Sequence, residues 1–154
     1  MKVCFIGHKT IKESEKIKNL LTKTALEFIK KGVTTFLFGS KSAFDNLAWE
    51  VISELKKEFP YIKRIYVRSA FQYIDKFYEE HLLKYYEETY FPKKIENAGK
   101  CSYVERNYAM IDDSDICVFY YNENYVTTLK RKSGTKLAYE YARRKKKQII
   151  NLNK

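Results

Sequence analysis

Three short turns built from small residues carry most of the chemistry legible in this chain. Ser133-Gly134-Thr135-Lys136 opens an apolar-periodic helix (Leu137, Ala138, Tyr141, Ala142) and follows the hydrophobic strand 116–120 after a polar loop. A Gly-containing turn of this kind leaves backbone N–H groups pointing outward at the positive end of a helix dipole, where phosphate or another anion binds. Ser133 or Thr135 equally fits the N-cap role that such residues fill routinely. Gly7-His8-Lys9 follows the apolar run Val3-Cys4-Phe5-Ile6, and Gly39-Ser40 begins a turn that reaches Asp45 after the run 34–38. Three strands therefore end in polar or Gly-bearing turns on one carboxyl edge of a parallel sheet, the edge at which open α/β sheets bind ligands. A phosphorylated small molecule fits that edge.

Further polar side chains fall near it. The stretch 103–112 reads as a helix with Val104, Tyr108 and Ile111 as its core stripe and Tyr103, Arg106, Asn107 and Met110 on the neighbouring one. Arg106 then either grips a phosphate or carboxylate with its planar fork or pairs with Asp112, Asp113 or Asp115. Asn107 offers donors and acceptors to a ribose or base. Asp45 fits a role as acceptor for ribose hydroxyls, or as a simple complement to the helix dipole. Glu50, about a turn further, is the other candidate carboxylate for catalysis.

The elements that must position these residues alternate between strand and helix along the chain. Strands are expected at 2–6, 34–38, 61–67, 115–120 and 148–152, and helices at 13–31, 42–58, 72–88, 103–112 and 134–145. The pattern is that of an α/β, Rossmann-like three-layer sandwich with a mainly parallel sheet of about five strands. A length of 154 residues fits one domain over 1–154 with one substantial core. The 25 aromatic side chains argue against disorder. Tyr73, Phe77, Tyr78, Tyr85 and Tyr86 form a stripe on the expected helix 72–88, which implies a core surface or a homo-oligomer contact. His81 in that helix reads as structural.

Cys4 and Cys117 fall in strands and Cys101 in a loop, which is no disulfide framework, and no Cys or His spacing suits a metal. No cofactor is called for. The N-terminus lacks the apolar core of a signal peptide, and no apolar run approaches the roughly 20 residues of a membrane span. The chain reads as cytoplasmic, with no membrane partner. The net charge of +11 suggests an anionic ligand or a nucleic acid, and ten of the thirty Lys and Arg residues follow Leu129, near the proposed anion site.

Phe5-Ile6-Gly7-His8, the turn from Gly39 to Asp45 with Leu47-Ala48, the block from Tyr103 to Asp115, and Ser133-Gly134-Thr135 ahead of Ala138 together resemble the SLOG superfamily. That group includes the LOG phosphoribohydrolases, the DNA-processing protein DprA and YpsA-like proteins, and the YpsA-like branch is the most similar. The resemblance covers nearly the whole chain and implies a Rossmann-like fold that binds a nucleotide or a nucleotide-derived, ADP-ribose-like ligand over the Gly-bearing turns. LOG enzymes cleave the N-glycosidic bond of nucleoside monophosphates with an Arg, matched by Arg106, and a Glu three residues after the turn threonine. That Glu position is Ala138 in this chain, and the family's Pro-Gly-Gly is missing. Glu140 lies about 200° round the helix and cannot substitute. An oxocarbenium-like transition state needs a carboxylate beside the sugar, so the resemblance implies binding without hydrolysis. Two alternatives stand beside it: an N-glycosidase or transferase that uses Asp45 or Glu50, and DprA-like binding of single-stranded nucleic acid.

Overall fold

The computed structural model describes residues 1–96, 98–125 and 133–153, so Lys130, Arg131, Lys132 and Lys154 of the basic set lie outside the described residues. Six strands form one sheet: β1 (Lys2–Gly7), β2 (Thr35–Phe38), β3 (Lys63–Val67), β4 (Glu88–Tyr90), β5 (Ile116–Tyr120) and β6 (Gln148–Asn151). Their order is β4-β3-β2-β1-β5-β6, and all five pairings are parallel. The helices are α1 (Ser14–Lys30), α2 (Ala43–Glu58), α3 (Lys76–Leu82), α4 (Ser102–Asp112) and α5 (Gly134–Arg144).

Alternation along the strands sorts the core into two layers. Val3, Phe5, Phe36, Phe38 and Val118 face α1 and α2, where they meet Leu21, Phe28, Phe44, Ala48 and Ile52. Cys4, Ile6, Leu37, Cys117 and Phe119 face α4 and α5, against Met110, Ile111, Ala138 and Ala142. β1, β2 and β5 are therefore apolar on both faces, as central strands of a doubly covered parallel sheet must be. Cys4 and Cys117 are register neighbours in this buried layer, and Cys101 is exposed.

The stretch expected as helix 72–88 departs from its periodicity. Asp75 caps α3 by accepting from the Tyr78 N–H at 2.7 Å, and the helix ends at Leu82 after two turns. The chain then extends into β4, which raises the strand count from about five to six. The cause is long-range. Glu87 accepts from the Arg64 backbone N–H at 2.8 Å and from its Nε and Nη2 at 3.2 and 2.7 Å, with Lys56 nearby at 3.6 Å. Thr89 Oγ1 also donates to the Tyr66 carbonyl at 2.8 Å. The aromatic stripe is dispersed as a result: Tyr73 and Phe77 are exposed, Tyr86 packs against the α1–α2 layer, and Tyr90 against the other.

The basic run is also relocated. Arg143 and Arg144 end α5, and Lys147 Nζ donates to the Ser114 carbonyl at 2.9 Å, beside the amino ends of the strands. The length of α5 separates this run from Ser133, so its charge does not gather at the proposed anion turn.

Burial raises the Glu87 carboxyl pKa, but the Arg64 hydrogen bonds and the Arg64 and Lys56 charges outweigh it and hold the pKa below the usual value. A depressed folded pKa contributes stability above the ordinary glutamate range and loses it as pH falls through the folded value. We expect Glu87→Ala to cost about 1–3 kcal/mol in urea denaturation at pH 7. The deficit should shrink below pH 4, and an unchanged midpoint at pH 7 would refute this account of β4.

Candidate functional site

Each expected ligand turn lies past the carboxyl end of a strand. After β1, Gly7 has no room for a side chain, since a Cβ there would sit 2.5 Å from the Phe44 ring of α2. That close approach brings the Lys9 carbonyl to the Ala43 N–H at 3.0 Å, although the Lys9 side chain is exposed. His8 is 2 % exposed. Its Nε2 accepts from the Asn122 N–H at 2.9 Å, which leaves the ring proton on Nδ1. Burial lowers its pKa to about 4, so the imidazole is neutral at physiological pH.

After β2, the chain turns through Gly39 and Ser40 into α2. Ser42 caps the helix by accepting from the Asp45 N–H at 3.1 Å, and its hydroxyl also donates to Asp45 Oδ2 at 2.8 Å. Ser40 donates to the same oxygen. Asp45 is 3 % exposed, and its Oδ1 has no hydrogen-bond partner among the described residues. Burial raises its pKa from 3.8 to about 6, against the Ser40 and Ser42 hydrogen bonds and the Arg106 charge, which lower it.

Arg106 reaches this turn from the other face of the sheet. Its Nη1 donates to the Gly39 carbonyl, and its Nε donates to Asn107 Oδ1 at 3.0 Å. A Cβ at position 39 would fall 2.6 Å from Met110 Sδ and 2.7 Å from Arg106 Cδ, so only glycine lets the guanidinium pass. The inward face of α4 differs from the expected stripe. Arg106, Asn107, Met110 and Ile111 are buried, whereas Val104 and Tyr108 are half-buried. Tyr108 turns instead to stack on Tyr141 of α5, with centroids 4.1 Å apart. The aspartates proposed as partners for Arg106 bind elsewhere: Asp112 to Lys94 and Tyr141, Asp113 to Tyr90, and Asp115 to the Lys2 N–H.

Gly7, His8, the Lys9 backbone, Gly39, Ser40, Asp45, Arg106 and Asn107 thus form one connected edge. Ser133 caps α5 by accepting from the Lys136 N–H at 3.0 Å, with Gly134 beside Tyr103 and Thr135 buried. Glu50 is not brought to the edge. It is exposed in a cleft between α1 and α2 with Lys18, Thr22 and Trp49, so of the two candidate carboxylates only Asp45 lies at this edge. The sequence reading passed over Arg68, just beyond β3. Its Nη1 donates to Thr89 Oγ1 at 3.2 Å, while its buried Nε has no partner among the described residues. Its place directly after the apolar run of β3 is the signal in the sequence that marks it. Among the described residues, no cluster of three His, Cys, Asp or Glu suits a metal, and no helix is long and apolar enough to cross a membrane.

The family model described as the YspA SLOG family matches residues 4–154. No curated protein matches the chain.

The raised Asp45 pKa has a definite sign. Between about pH 4 and pH 6 the folded state keeps a proton that the unfolded chain has lost, so stability falls as pH rises through that window. Asp45→Asn should therefore stabilise the protein by about 1–3 kcal/mol at pH 7 and by little at pH 4. Urea melts at the two pH values check this, and an equal effect at both would contradict it.

Proposed function

The chain belongs to the YspA SLOG family, and we propose that it binds a nucleotide or nucleotide-derived, ADP-ribose-like ligand along the carboxyl edge of its sheet without cleaving it. One observation carries this reading. The buried side-chain atoms that lack a hydrogen-bond partner among the described residues are His8 Nδ1, Asp45 Oδ1 and Arg68 Nε. His8 and Arg68 directly follow β1 and β3, and Asp45, in the first turn of α2, is bonded to Ser40 just past the end of β2, so the three belong to adjacent parallel strands. An orphaned buried polar atom costs about 1–3 kcal/mol, and a folded protein leaves few of them. Three along one edge fit a polar ligand with acceptors and hydroxyls to satisfy them. The Arg106 guanidinium supplies positive charge for phosphate, and the carboxyl of Asp45 suits a sugar hydroxyl.

The non-catalytic reading rests on Ala138, which is buried at the position where the LOG pattern carries its glutamate. A second reading, N-glycoside cleavage, draws on the raised pKa of Asp45, which suits a general acid. Turnover separates the two.

In a thermal-shift screen of mononucleotides, dinucleotides and ADP-ribose species, we expect at least one class to stabilise the protein. At one hundred times Kd the gain is about 2.7 kcal/mol, or roughly 5–10 °C for a domain of this size. Arg106→Ala should abolish that shift. A screen without any shift would sink the proposal, while an unchanged shift in Arg106→Ala would reject only that residue. Chromatography of purine and pyrimidine monophosphates incubated with the protein should show no free base. Turnover near one per second, lost in Asp45→Asn, would establish the glycosidase reading instead.

A further inference from the structure

We infer that Tyr125 occupies the seat of the ligand's flat ring on His8, and that the nucleobase of a bound nucleotide takes that seat by displacing it. The inference rests on the nucleotide reading and adds which residue receives the base. His8 stands at the one point where the strand order reverses: from β1 the chain builds outward to β4, and from β5 it builds the other way to β6. The crevice at such a switch point is where open α/β sheets take their ligands.

The imidazole is fixed there from several sides. The His8 backbone N–H donates to the Tyr120 carbonyl at 3.3 Å, the ring Nε2 accepts from the Asn122 N–H, and the Tyr120 ring stands edge-on at 6.1 Å. The Tyr121 ring lies tilted at 5.9 Å, and Tyr125 stacks on one face of the imidazole with centroids 3.9 Å apart and planes within 6°. Such close parallel overlap of two rings is what a purine or pyrimidine makes with an aromatic platform. A neutral imidazole suits it better than a charged one, since no cation is desolvated under the ring.

Tyr125 meets only part of what His8 presents. The Nδ1–H lies in the ring plane, at right angles to the stack, and has no partner among the described residues. A tyrosine ring lying on the face supplies nothing in that plane. A nucleotide supplies both contacts, the base on the face and a ribose or phosphate oxygen beside Nδ1. Tyr125 sits in a short turn after β5, closed by its own N–H to the Asn122 carbonyl at 3.0 Å, so its side chain can leave while Asn122 still holds the imidazole. The Lys9–Ala43 backbone bond ties the loop after β1, which carries His8, to the N-terminus of α2 two residues from Asp45, so base and sugar fall at the ends of the adjacent strands β1 and β2.

The test compares adenosine monophosphate and ADP-ribose with ribose 5-phosphate, which carries the sugar and phosphate but no base. Calorimetry on Tyr125→Ala should show both base-bearing ligands binding tighter by on the order of two- to tenfold, because they no longer evict a stacked ring. Ribose 5-phosphate should be unchanged, and Tyr125→Phe should behave as the parent. Unchanged or weaker binding of the base-bearing ligands, or an equal change for all three, would overturn the inference alone. If none of the three binds the parent protein, the nucleotide reading fails and this inference with it. A second measurement needs no variant. In the parent protein saturated with adenosine monophosphate, nuclear Overhauser contacts between the His8 and Tyr125 rings should give way to contacts between His8 and the adenine protons. Their persistence in the saturated protein would also overturn the inference.

Discussion

The reach of Arg106 beneath Gly39 is the contact on which the rest of the site depends. A guanidinium is costly to bury, and this one, 4 % exposed, is kept by the Gly39 carbonyl, the Asn107 side chain and the nearby Asp45 charge. Because it starts on α4 and ends at the turn into α2, it joins the two helical layers across the end of β2. Gly39 is fixed by that passage: any side chain there would meet Arg106 and Met110. Asp45 then finds a cation on one side and two serine hydroxyls on another, yet burial still keeps its pKa high.

The edge carries more polarity than the described residues satisfy. His8, Asp45 and Arg68 each keep a buried atom without a partner among the described residues, and burial penalises the charged form of Asp45. Native proteins concentrate such unfavourable features where a ligand removes them. The scaffold compensates elsewhere. β1, β2 and β5 are packed on both faces, and Phe5 stacks on Phe36 and Phe38 at 5.9 and 5.3 Å to stiffen the strands that carry the edge.

The same contrast explains the differences between expectation and structure. Helical periodicity continued through 84–88, but the carboxylate of Glu87 has a strong partner 23 residues upstream in Arg64, and pairing with β3 overrides local preference. On α4, apolarity favoured Val104 and Tyr108 as core, whereas Arg106 and Asn107 turn inward because they find hydrogen-bond partners there. Periodicity ranks side chains by transfer from water. It cannot rank a polar residue whose partner lies on a distant segment.

The sequence by itself determined the layered α/β class, the order of its main elements, and the placement of Gly7, Gly39, Asp45 and Arg106 near one edge. Those follow from local apolar periods and from small residues at strand ends, which are properties of short windows. Tertiary structure alone decided that β4 exists, that the basic end of α5 faces away from the site, and that Glu50 is excluded from it. It also decided which buried atoms go unpartnered and that Tyr125 lies on His8. These outcomes depend on hydrogen bonds, charges and ring contacts between segments far apart in the chain, and no local pattern encodes which partner a buried polar group will meet.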